Sequence, residues 1–382
     1  MIFKNRQNKI MEGGVETSNY ELNYGPHHPS THGVLQLVLT LSGEEIIDCA
    51  PIIGYLHRGV EKIVEQKNFI SIIPYVDRLD YLSSLIMEHS YVLTIERLND
   101  IEVPIRGRFI RTILDELTRI SSHIMSIGSM TYDLGCLSLF LYGIEEREKI
   151  MDIFEEVAGA RMHQAFYIPG GVLGDLEQAA IKKINDFVKK IDRYCTTIQK
   201  LALNNRIFCK RTQKIGVISK ELAITSGISG VNIRASGLDF DIRKQNTYGV
   251  YELMNFQPIV LHDGDSYSRI LLRFLEIRQS AELITLCISN LPSGKFYSSE
   301  RVNLNFRVPP DAIIYTAVEG PRGEFGVHML ANKTGTRPYR LHFKAPSFGI
   351  IQLIPRLLRG AKLSDCTAIL GSLDFLLGDC DR

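Results

Sequence analysis

Three histidines fall within six residues near the start of the chain, in the segment Gly25-Pro26-His27-His28-Pro29-Ser30-Thr31-His32-Gly33. His28 and His32 have the spacing of two metal ligands on a helix, but Pro29 and Gly33 oppose a helix there and no fourth ligand stands nearby. A turn whose histidines bond to the backbone is the simplest alternative. A third interpretation is that one imidazole faces a cavity, where its near-neutral pKa suits it to donate a hydrogen bond and a proton.

A phenol follows two carboxylates in the segment Pro74-Tyr75-Val76-Asp77-Arg78-Leu79-Asp80-Tyr81. The pattern predicts a helix over 74–97, which places Asp77 and Tyr81 one turn apart on a shared face. The Tyr81 hydroxyl can then donate to a carbonyl group of a ligand. The alternative is a tyrosine packed in a helical bundle with its hydroxyl already satisfied.

Two further charged residues stand next to predicted helix ends. Asp133 lies in apolar surroundings between two predicted helices, as a carboxylate of a site or simply as a helix N-cap. Arg58 precedes a predicted helix, where it can stabilise the reduced state of a nearby redox centre or form a surface ion pair with Glu61. The residue types alone do not decide between these alternatives.

The segment from Gly159 to Val172 contains a double glycine at 170–171, which suggests a sharp turn or a close approach of backbone. It lacks the Lys and the Ser or Thr of a phosphate-binding loop. The sequence also has no G-x-G-x-x-G after a predicted strand and no G-x-S-x-G elbow. Nucleotide binding and serine hydrolysis are therefore not indicated.

Composition excludes other classes of function. Lys and Arg number 44 against 43 Asp and Glu, so the net charge of +1 gives no support to nucleic-acid binding. No run of about 18 apolar residues predicts a membrane-spanning helix. The seven cysteines are scattered without a C-x-x-C pair, which disfavours disulfides or a metal site of the chain's own and favours a reducing compartment.

The elements that must position these residues follow from periodicity. Strands are predicted over 34–41 and 46–53, forming a hairpin, and the pattern then becomes helical near 59–68, 74–97, 106–129, 136–158 and 176–204. In the third of these helices Arg111, Asp115 and Arg119 are expected on a solvated stripe opposite an apolar one. Beyond Arg211 the pattern predicts a helix over 268–291, strands over 313–319, 324–332 and 339–344, and a helix over 363–375.

We therefore predict an α+β architecture, with an N-terminal antiparallel β-hairpin, a central bundle of long α-helices and a mixed α/β C-terminal part. The expected divisions are 1–57 for the N-terminal extension and hairpin, 58–210 for the bundle and 211–382 for the mixed region packed on the bundle.

Six motifs in order resemble one family: GPHHPSTHGVLQL, GYLHRGVEKIVE, PYVDRLDYLSS, GARMHQAFYIPGGV, RPYRLHFKAPSF and LGSLDFLLGDCDR. They look like the hydrogenase-related quinone-site subunit of respiratory complex I, the proton-pumping NADH:ubiquinone oxidoreductase. The resemblance runs from about Asn23 to Arg382. It implies an oxidoreductase subunit that is active only in the complex.

The resemblance implies roles for particular residues. In that family the positions of His32 and Tyr81 donate hydrogen bonds to the two carbonyls of the ubiquinone headgroup, and Asp133 matches the partner of that histidine. Buried donors stabilise the negative charge that reduction places on both oxygens. Arg58 and His163 match positions near the terminal iron–sulfur cluster of a neighbouring subunit, and His28 is assigned to the same side, none of them as a ligand.

The family shares its origin with the large subunit of nickel-iron hydrogenases, but the two C-x-x-C pairs that hold nickel are absent from this sequence. The resemblance therefore implies no metal held by this chain. It implies partners in complex I, above all the terminal-cluster subunit and the membrane subunit at the quinone channel entrance. The expected location is peripheral, on the matrix side of the mitochondrial inner membrane, with the cytoplasmic face of a bacterial membrane as the alternative.

Overall fold

The computed structural model describes residues 3–4, 9–12, 15–27, 33–298 and 306–382, and only the backbone up to residue 18. Six strands come first: β1 Phe3–Lys4, β2 Lys9–Glu12, β3 Val15–Ser18, β4 Tyr20–Tyr24, β5 Gln36–Ser42 and β6 Glu45–Ile52. Four of them form an antiparallel sheet in the order β1-β4-β5-β6, and β2 pairs with β3.

The predicted hairpin is formed by β5 and β6. Leu37, Leu39 and Leu41 are fully buried while the residues between them are partly exposed, so the strand covers a core with one face. The turn at Gly43, whose φ is 61°, joins the two strands. The prediction of an N-terminal antiparallel hairpin is confirmed.

Helices make up most of the remaining chain. The first group is α1 Val60–Val64, α2 Ile73–Val76, α3 Ser84–Leu98, α4 Ile105–Asp133, α5 Leu137–Ala158, the short strands β7 Tyr167–Ile168 and β8 Gly171–Val172, and α6 Gln178–Ala202. Short helices follow: α7 Arg206–Thr212, α8 Lys220–Thr225, α9 Val231–Ala235 and α10 Ile242–Gln245. The long helix α11 spans Ser266–Ser289.

The central helix α4 is surrounded rather than half exposed. Its apolar stripe is buried as predicted, and Ile120 and Ile124 are inaccessible to solvent. Arg111, Asp115 and Arg119 are also buried, which contradicts the predicted solvated stripe. The reason is that α3, α5, α11 and the later helix over 363–373 all contact α4, so the charged stripe faces other elements and must find partners there.

The predicted helix over 74–97 is interrupted. It divides into α2 and α3, and residues 77–83 between them are not helical. One carboxylate oxygen of Asp80 accepts from the backbone N–H of Leu82 at 3.2 Å. Such a local side-chain bond competes with helical hydrogen bonding, so Asp77 and Tyr81 do not share a helical face.

The C-terminal part combines a sheet and three helices. The strands β9 Ile313–Gly320, β10 Gly323–Ala331 and β11 Pro338–Lys344 form an antiparallel sheet in the order β11-β10-β9, with Gly335 in the turn between β10 and β11. The helices are α12 Pro346–Leu358, α13 Leu363–Leu373 and α14 Leu377–Asp381. The predicted α+β fold class is confirmed, whereas α12 was not predicted.

The apolar core of the described residues has two main clusters, one large and one smaller, and Val231, Ala235 and Leu272 form a third, minor one. The large cluster runs from α1 through the long helices to β9, β10 and β11. The smaller one joins the N-terminal sheet to α12, α13 and α14. The division at residues 57 and 210 stays a prediction.

Candidate functional site

Tyr81 lies on the irregular segment between α2 and α3 and is partly buried. Its backbone carbonyl accepts from the Ser84 hydroxyl at 3.4 Å, but its own hydroxyl makes no hydrogen bond to any residue that the structure describes. Burial raises the pKa of this phenol, and the neighbouring Asp80 and Asp379 act in the same direction against Arg322 and Arg58. Tyr81 is therefore a neutral phenol with an unused proton to donate.

The packing of Tyr81 depends on the helix α14. A β-carbon at Gly378 would lie 2.4 Å from the carbonyl oxygen of Leu79 and 3.4 Å from Cδ1 of Tyr81. Only glycine permits the two segments to approach so closely. The tyrosine is thus positioned by a residue almost 300 positions later in the sequence.

Arg58 connects the same segments. Its guanidinium donates to the carbonyl oxygens of Arg78 at 3.0 Å and Gly378 at 3.4 Å. The alternative of an ion pair with Glu61 is wrong, because Glu61 instead contacts Arg340 at 2.9 Å. Since Arg58 is exposed and makes no ion pair among the described residues, its charge is available to a neighbour outside this chain.

His163 lies in the loop after α5, with a positive φ of 56°. Its Nδ1 is 3.4 Å from the Ser84 hydroxyl and 3.9 Å from a carboxylate oxygen of Asp77. Burial lowers the pKa of this imidazole, and the charges of Arg78 and Arg58 lower it further. His163 is therefore held near Tyr81 and Arg58 in its neutral form.

Glu88 of α3 fixes the loop that carries His163. Its carboxylate accepts from the backbone N–H groups of Ala165 at 2.7 Å, Phe166 at 2.8 Å and Tyr167 at 3.0 Å. Three donors on one buried acceptor restrain a segment that contains two positive-φ residues, His163 and Ala165. This role of Glu88 was not predicted from the sequence.

Asp133 lies at the end of α4 and not at the N-terminus of α5, where the N-cap alternative placed it. It is the last residue of α4, and Cys136 rather than Asp133 caps the N-terminus of α5, so the N-cap alternative is wrong. Asp133 is partly buried. Arg58 bonds to the carbonyls of Arg78 and Gly378, and His163 bonds to Ser84. These hydrogen bonds therefore do not connect Asp133 with the residues around Tyr81.

His28 and His32 lie outside the residues that the structure describes. Gly33, the residue after His32, is described, and a β-carbon there would be 3.5 Å from Cδ1 of Leu377. Leu377 precedes Gly378, which packs on Tyr81. The end of the histidine motif therefore reaches the same helix α14 that positions the tyrosine.

A buried cluster of opposite charges, missed by sequence reasoning, lies behind Tyr81. Arg322, in the turn between β9 and β10, donates to Asp80 at 2.7 Å and to Asp374 at 3.3 Å. Arg273 of α11 is 3.7 Å from the other oxygen of Asp374. Asp379 of α14 is fully buried beside them. Separate segments supply these side chains, so no local pattern could have found the cluster.

A cavity of about 620 Å³ among the described residues does not contain Tyr81. It lies between α3, α4 and residues 247–249, with Glu96 and Arg111 in its wall. A second cavity of about 350 Å³ is lined by His57, Gly59, Arg340 and Arg382 near Arg58. We place the candidate site at Tyr81 rather than in the larger of these two cavities, because Glu96 and Arg111 in the wall of that cavity already bind each other.

No arrangement for a metal of the chain's own is found among the described residues, where no three His, Cys, Asp or Glu side chains converge. The cysteines are all unpaired. Burial raises the pKa of the Cys380 thiol to about 12, with Asp379 and Asp381 acting in the same direction, which disfavours the thiolate that a metal requires. None of the helices in the described ranges is long and apolar enough to span a bilayer.

Comparison with known proteins gives a consistent result. A family model described as the 49 kDa subunit of the respiratory-chain NADH dehydrogenase matches residues 133–382. The D subunit of the NADH-quinone oxidoreductase of Paramagnetospirillum magneticum is 38% identical over 390 residues, which cover 96% of this chain and 99% of that protein. The D subunits from Ehrlichia chaffeensis and Rhizorhabdus wittichii are 39% and 40% identical, covering 97% and 98% of this chain and 100% and 98% of theirs.

The family model alone covers well over half of the sequence, and these three relatives match it nearly from end to end. The chain therefore belongs to the family of the 49 kDa subunit of the respiratory-chain NADH dehydrogenase, which confirms the resemblance carried by its six motifs.

Proposed function

We propose that this chain, a subunit of NADH:quinone oxidoreductase (complex I), forms the quinone-reducing site of that enzyme together with a neighbouring subunit. Ubiquinone is the substrate, and its reduction takes up two electrons and two protons. Family membership supports the enzyme class. The choice of site rests on the residues around Tyr81.

The observation that carries the proposal is the unused phenol of Tyr81. Its hydroxyl has no partner among the described residues, burial raises its pKa, and it lies beside an unpaired cation, Arg58. A neutral donor next to a positive charge stabilises an oxygen that gains negative charge during reduction. Tyr81 would donate to one quinone carbonyl.

The second donor in the proposal is His32, with Asp133 as its partner, as the resemblance implies. The approach of Gly33 to Leu377 supports this assignment, because it leads the histidine motif toward the helix that packs on Tyr81. Asp133 is partly buried at the end of α4, where a carboxylate can orient an imidazole. Both assignments remain proposals.

The iron–sulfur cluster that supplies single electrons belongs, in this proposal, to the neighbouring subunit. The described residues fit this arrangement, because the thiol of Cys380 is buried and the sequence has no C-x-x-C pair that could bind a cluster. Arg58 and His163, with His28, would face that neighbour without binding the cluster. Arg58 would add positive charge there, and His163 would offer a neutral imidazole as a proton acceptor.

The partners proposed are the cluster-bearing subunit and the membrane subunit at the entrance of the quinone channel, with no nucleic acid. The chain would lie at the membrane surface, and quinone reduction would be coupled to proton pumping in the membrane subunits. The relatives named above are bacterial, which favours the cytoplasmic face of a bacterial membrane over the mitochondrial matrix.

The test is Tyr81→Phe in membranes that contain the assembled enzyme. Quinone reduction is compared with NADH oxidation by an artificial acceptor that bypasses the quinone site, so that the ratio corrects for the amount of enzyme. Tyr75→Phe is a matched control, since it removes a phenol six residues away. We expect Tyr81→Phe to lower the ratio by at least about tenfold, in the range for loss of a proton donor, and Tyr75→Phe to leave it unchanged.

A purely structural subunit is the rival function. It predicts that Tyr81→Phe leaves both activities at the level of the unmodified enzyme, and that result would remove Tyr81 from the quinone site. Replacement of His32 and of Asp133 separately extends the test to the two residues assigned by resemblance.

A further inference from the structure

Asp379 is a buried acid without an ion-pair partner among the described residues. Its side chain is inaccessible to solvent, and neither carboxylate oxygen reaches hydrogen-bond geometry with any of them, although Ser347 in the first turn of α12 lies near it. A buried carboxylate in this situation is costly unless it is neutral or is paired with a cation. Asp379 therefore differs from the other buried acids of the same cluster.

The balance of charge in the cluster explains the difference. Three carboxylates, those of Asp80, Asp374 and Asp379, face two guanidinium groups, those of Arg322 and Arg273. Asp80 and Asp374 take the contacts with the cations. Asp379 is left without a cation, and a bound proton would neutralise it.

The other charged groups near the cluster have partners of their own. Arg269, the buried cation that faces Arg273, donates to the Ser372 hydroxyl and to the carbonyl oxygens of Gly216 and Gly264. Glu276, the next acid that faces Arg273, has its own partner in Arg234 at 2.8 Å. Arg58 faces Tyr81 but is directed to the carbonyls of Arg78 and Gly378. Burial, together with the charge of Asp80, raises the pKa of Asp379 to about 7, while Arg322 and Ser347 act in the opposite direction. At neutral pH this acid is poised to hold or release one proton.

Asp379 is adjacent to the proton donor of the proposed site. It follows Gly378, where a β-carbon would be 3.4 Å from Cδ1 of Tyr81, and its charge raises the pKa of that phenol. Arg322 can stabilise the carboxylate once the proton has left, since its Nε lacks a hydrogen-bond partner among the described residues. The cluster is thus built to accept a second charge state of Asp379.

We propose that Asp379 is the proton reserve of Tyr81, a role that rests on the proposed function. As the two-electron reduced quinone takes the phenol proton of Tyr81, the O–H bond of Asp379 breaks and its proton passes through an intervening water molecule to the tyrosine oxygen. Tyr81 is neutral again and Asp379 is left as a carboxylate beside Arg322. Asp379 regains a proton from solvent before the next turnover, so it supplies one of the two protons consumed. It acts through Tyr81 and does not touch the substrate.

The experiment measures the pH dependence of the rate at saturating quinone in assembled enzyme, relative to the artificial-acceptor activity. Because the active form is protonated, the rate of the unmodified enzyme should fall as the pH rises through about 7. We expect Asp379→Asn to lower the rate at a pH about half a unit below that inflection by at least about tenfold and to abolish the inflection. Asp379→Glu should restore both the rate and an inflection. Asp192→Asn, on the exposed face of α6, is the matched control and should change neither.

Asp379→Asn with the rate and pH profile of the unmodified enzyme would overturn the proposal. If this variant does not assemble, Asp379→Glu decides, because a longer side chain must move the inflection; a superimposable profile would refute the role. Failure here is distinguishable from failure of the proposed function. Loss of quinone reduction in Tyr81→Phe with no effect in Asp379→Asn keeps the site and rejects the reserve, whereas an inactive Asp379→Asn beside an active Tyr81→Phe rejects both.

Discussion

Gly378 lies so close to the ring of Tyr81 that a β-carbon at position 378 would be 3.4 Å from Cδ1 of that ring. A β-carbon there would come within 2.4 Å of the Leu79 carbonyl oxygen, a backbone atom that cannot turn aside as a flexible side chain can. The irregular segment that carries Tyr81 is therefore held in place from the opposite end of the sequence. This relationship gives the first prediction.

Gly378→Ala should displace the Tyr81 segment and lower quinone reduction more than artificial-acceptor activity. Gly349→Ala is the matched control, because a β-carbon there would make only an ordinary contact of 3.8 Å. We expect Gly378→Ala to lower the free energy of unfolding by about 1–3 kcal/mol, the usual cost of overpacking. The control should leave it almost unchanged. Equal ratios of the two activities in both variants would show that the close approach does not position the phenol.

Arg234→Ala should destabilise the subunit strongly. The guanidinium of Arg234 contacts Glu276 at 2.8 Å and Glu319 at 2.7 Å, and all three side chains are buried. Removal of the cation leaves two buried carboxylates without the guanidinium that pairs with both, at a cost of about 3–5 kcal/mol. The measurement is the thermal inactivation midpoint and the amount of assembled enzyme.

Arg278→Ala provides the comparison for that prediction. Arg278 pairs with Asp192 at 2.7 Å on the surface, and its loss should cost about 0–1 kcal/mol. Inactivation midpoints that agree for Arg234→Ala and Arg278→Ala would contradict the view that burial makes the first pair essential.

Glu88→Gln should alter the pH dependence of stability. Burial raises the pKa of Glu88 to about 8, against the opposing effect of its three N–H donors, while the unfolded chain releases this proton near 4.5. Between these values the folded state holds a proton that the unfolded state has lost, so the free energy of unfolding falls as the pH rises. The variant should lose this part of the pH dependence, because its amide does not titrate.

The check is the thermal inactivation midpoint of both enzymes at about pH 6 and about pH 8.5, on either side of the folded pKa. The amide oxygen that Glu88→Gln introduces can still accept from the loop, so we expect a change of only about 1 kcal/mol at the lower pH. A decrease between the two pH values that is the same with and without Glu88 would show that this carboxyl does not control the loop's stability.

The sequence predicted those elements whose pattern is local. The hairpin of β5 and β6 and the long helices α4, α5, α6 and α11 follow from alternation and from the 3.6-residue period. The helix over 74–97 was predicted wrongly, because the Asp80 side chain bonds to the backbone of Leu82 and ends helical pairing. The helix α12 was missed because Pro355 and Gly349 within it oppose a helix, and its buried face stabilises it only in the folded protein.

The candidate site was predictable only in part. Tyr81, Arg58 and His163 were named from their motifs, and the structure brings them together. The cluster of Arg322, Asp80, Asp374 and Asp379 was not predicted, because each charge is unremarkable in its own segment. The charged stripe of α4 was predicted to be solvated, because periodicity within one helix does not show that other helices surround it.

The dependence of Tyr81 on Gly378 also affects the order in which the chain folds during synthesis. A ribosome adds about 5–20 residues per second, so roughly 15–60 s separate the synthesis of the tyrosine from that of the glycine on which it packs. During that interval the helical bundle can form, but the phenol has no fixed position. The chain therefore acquires its proposed donor among the last events of its folding, when the scaffold that must hold a substrate is already complete.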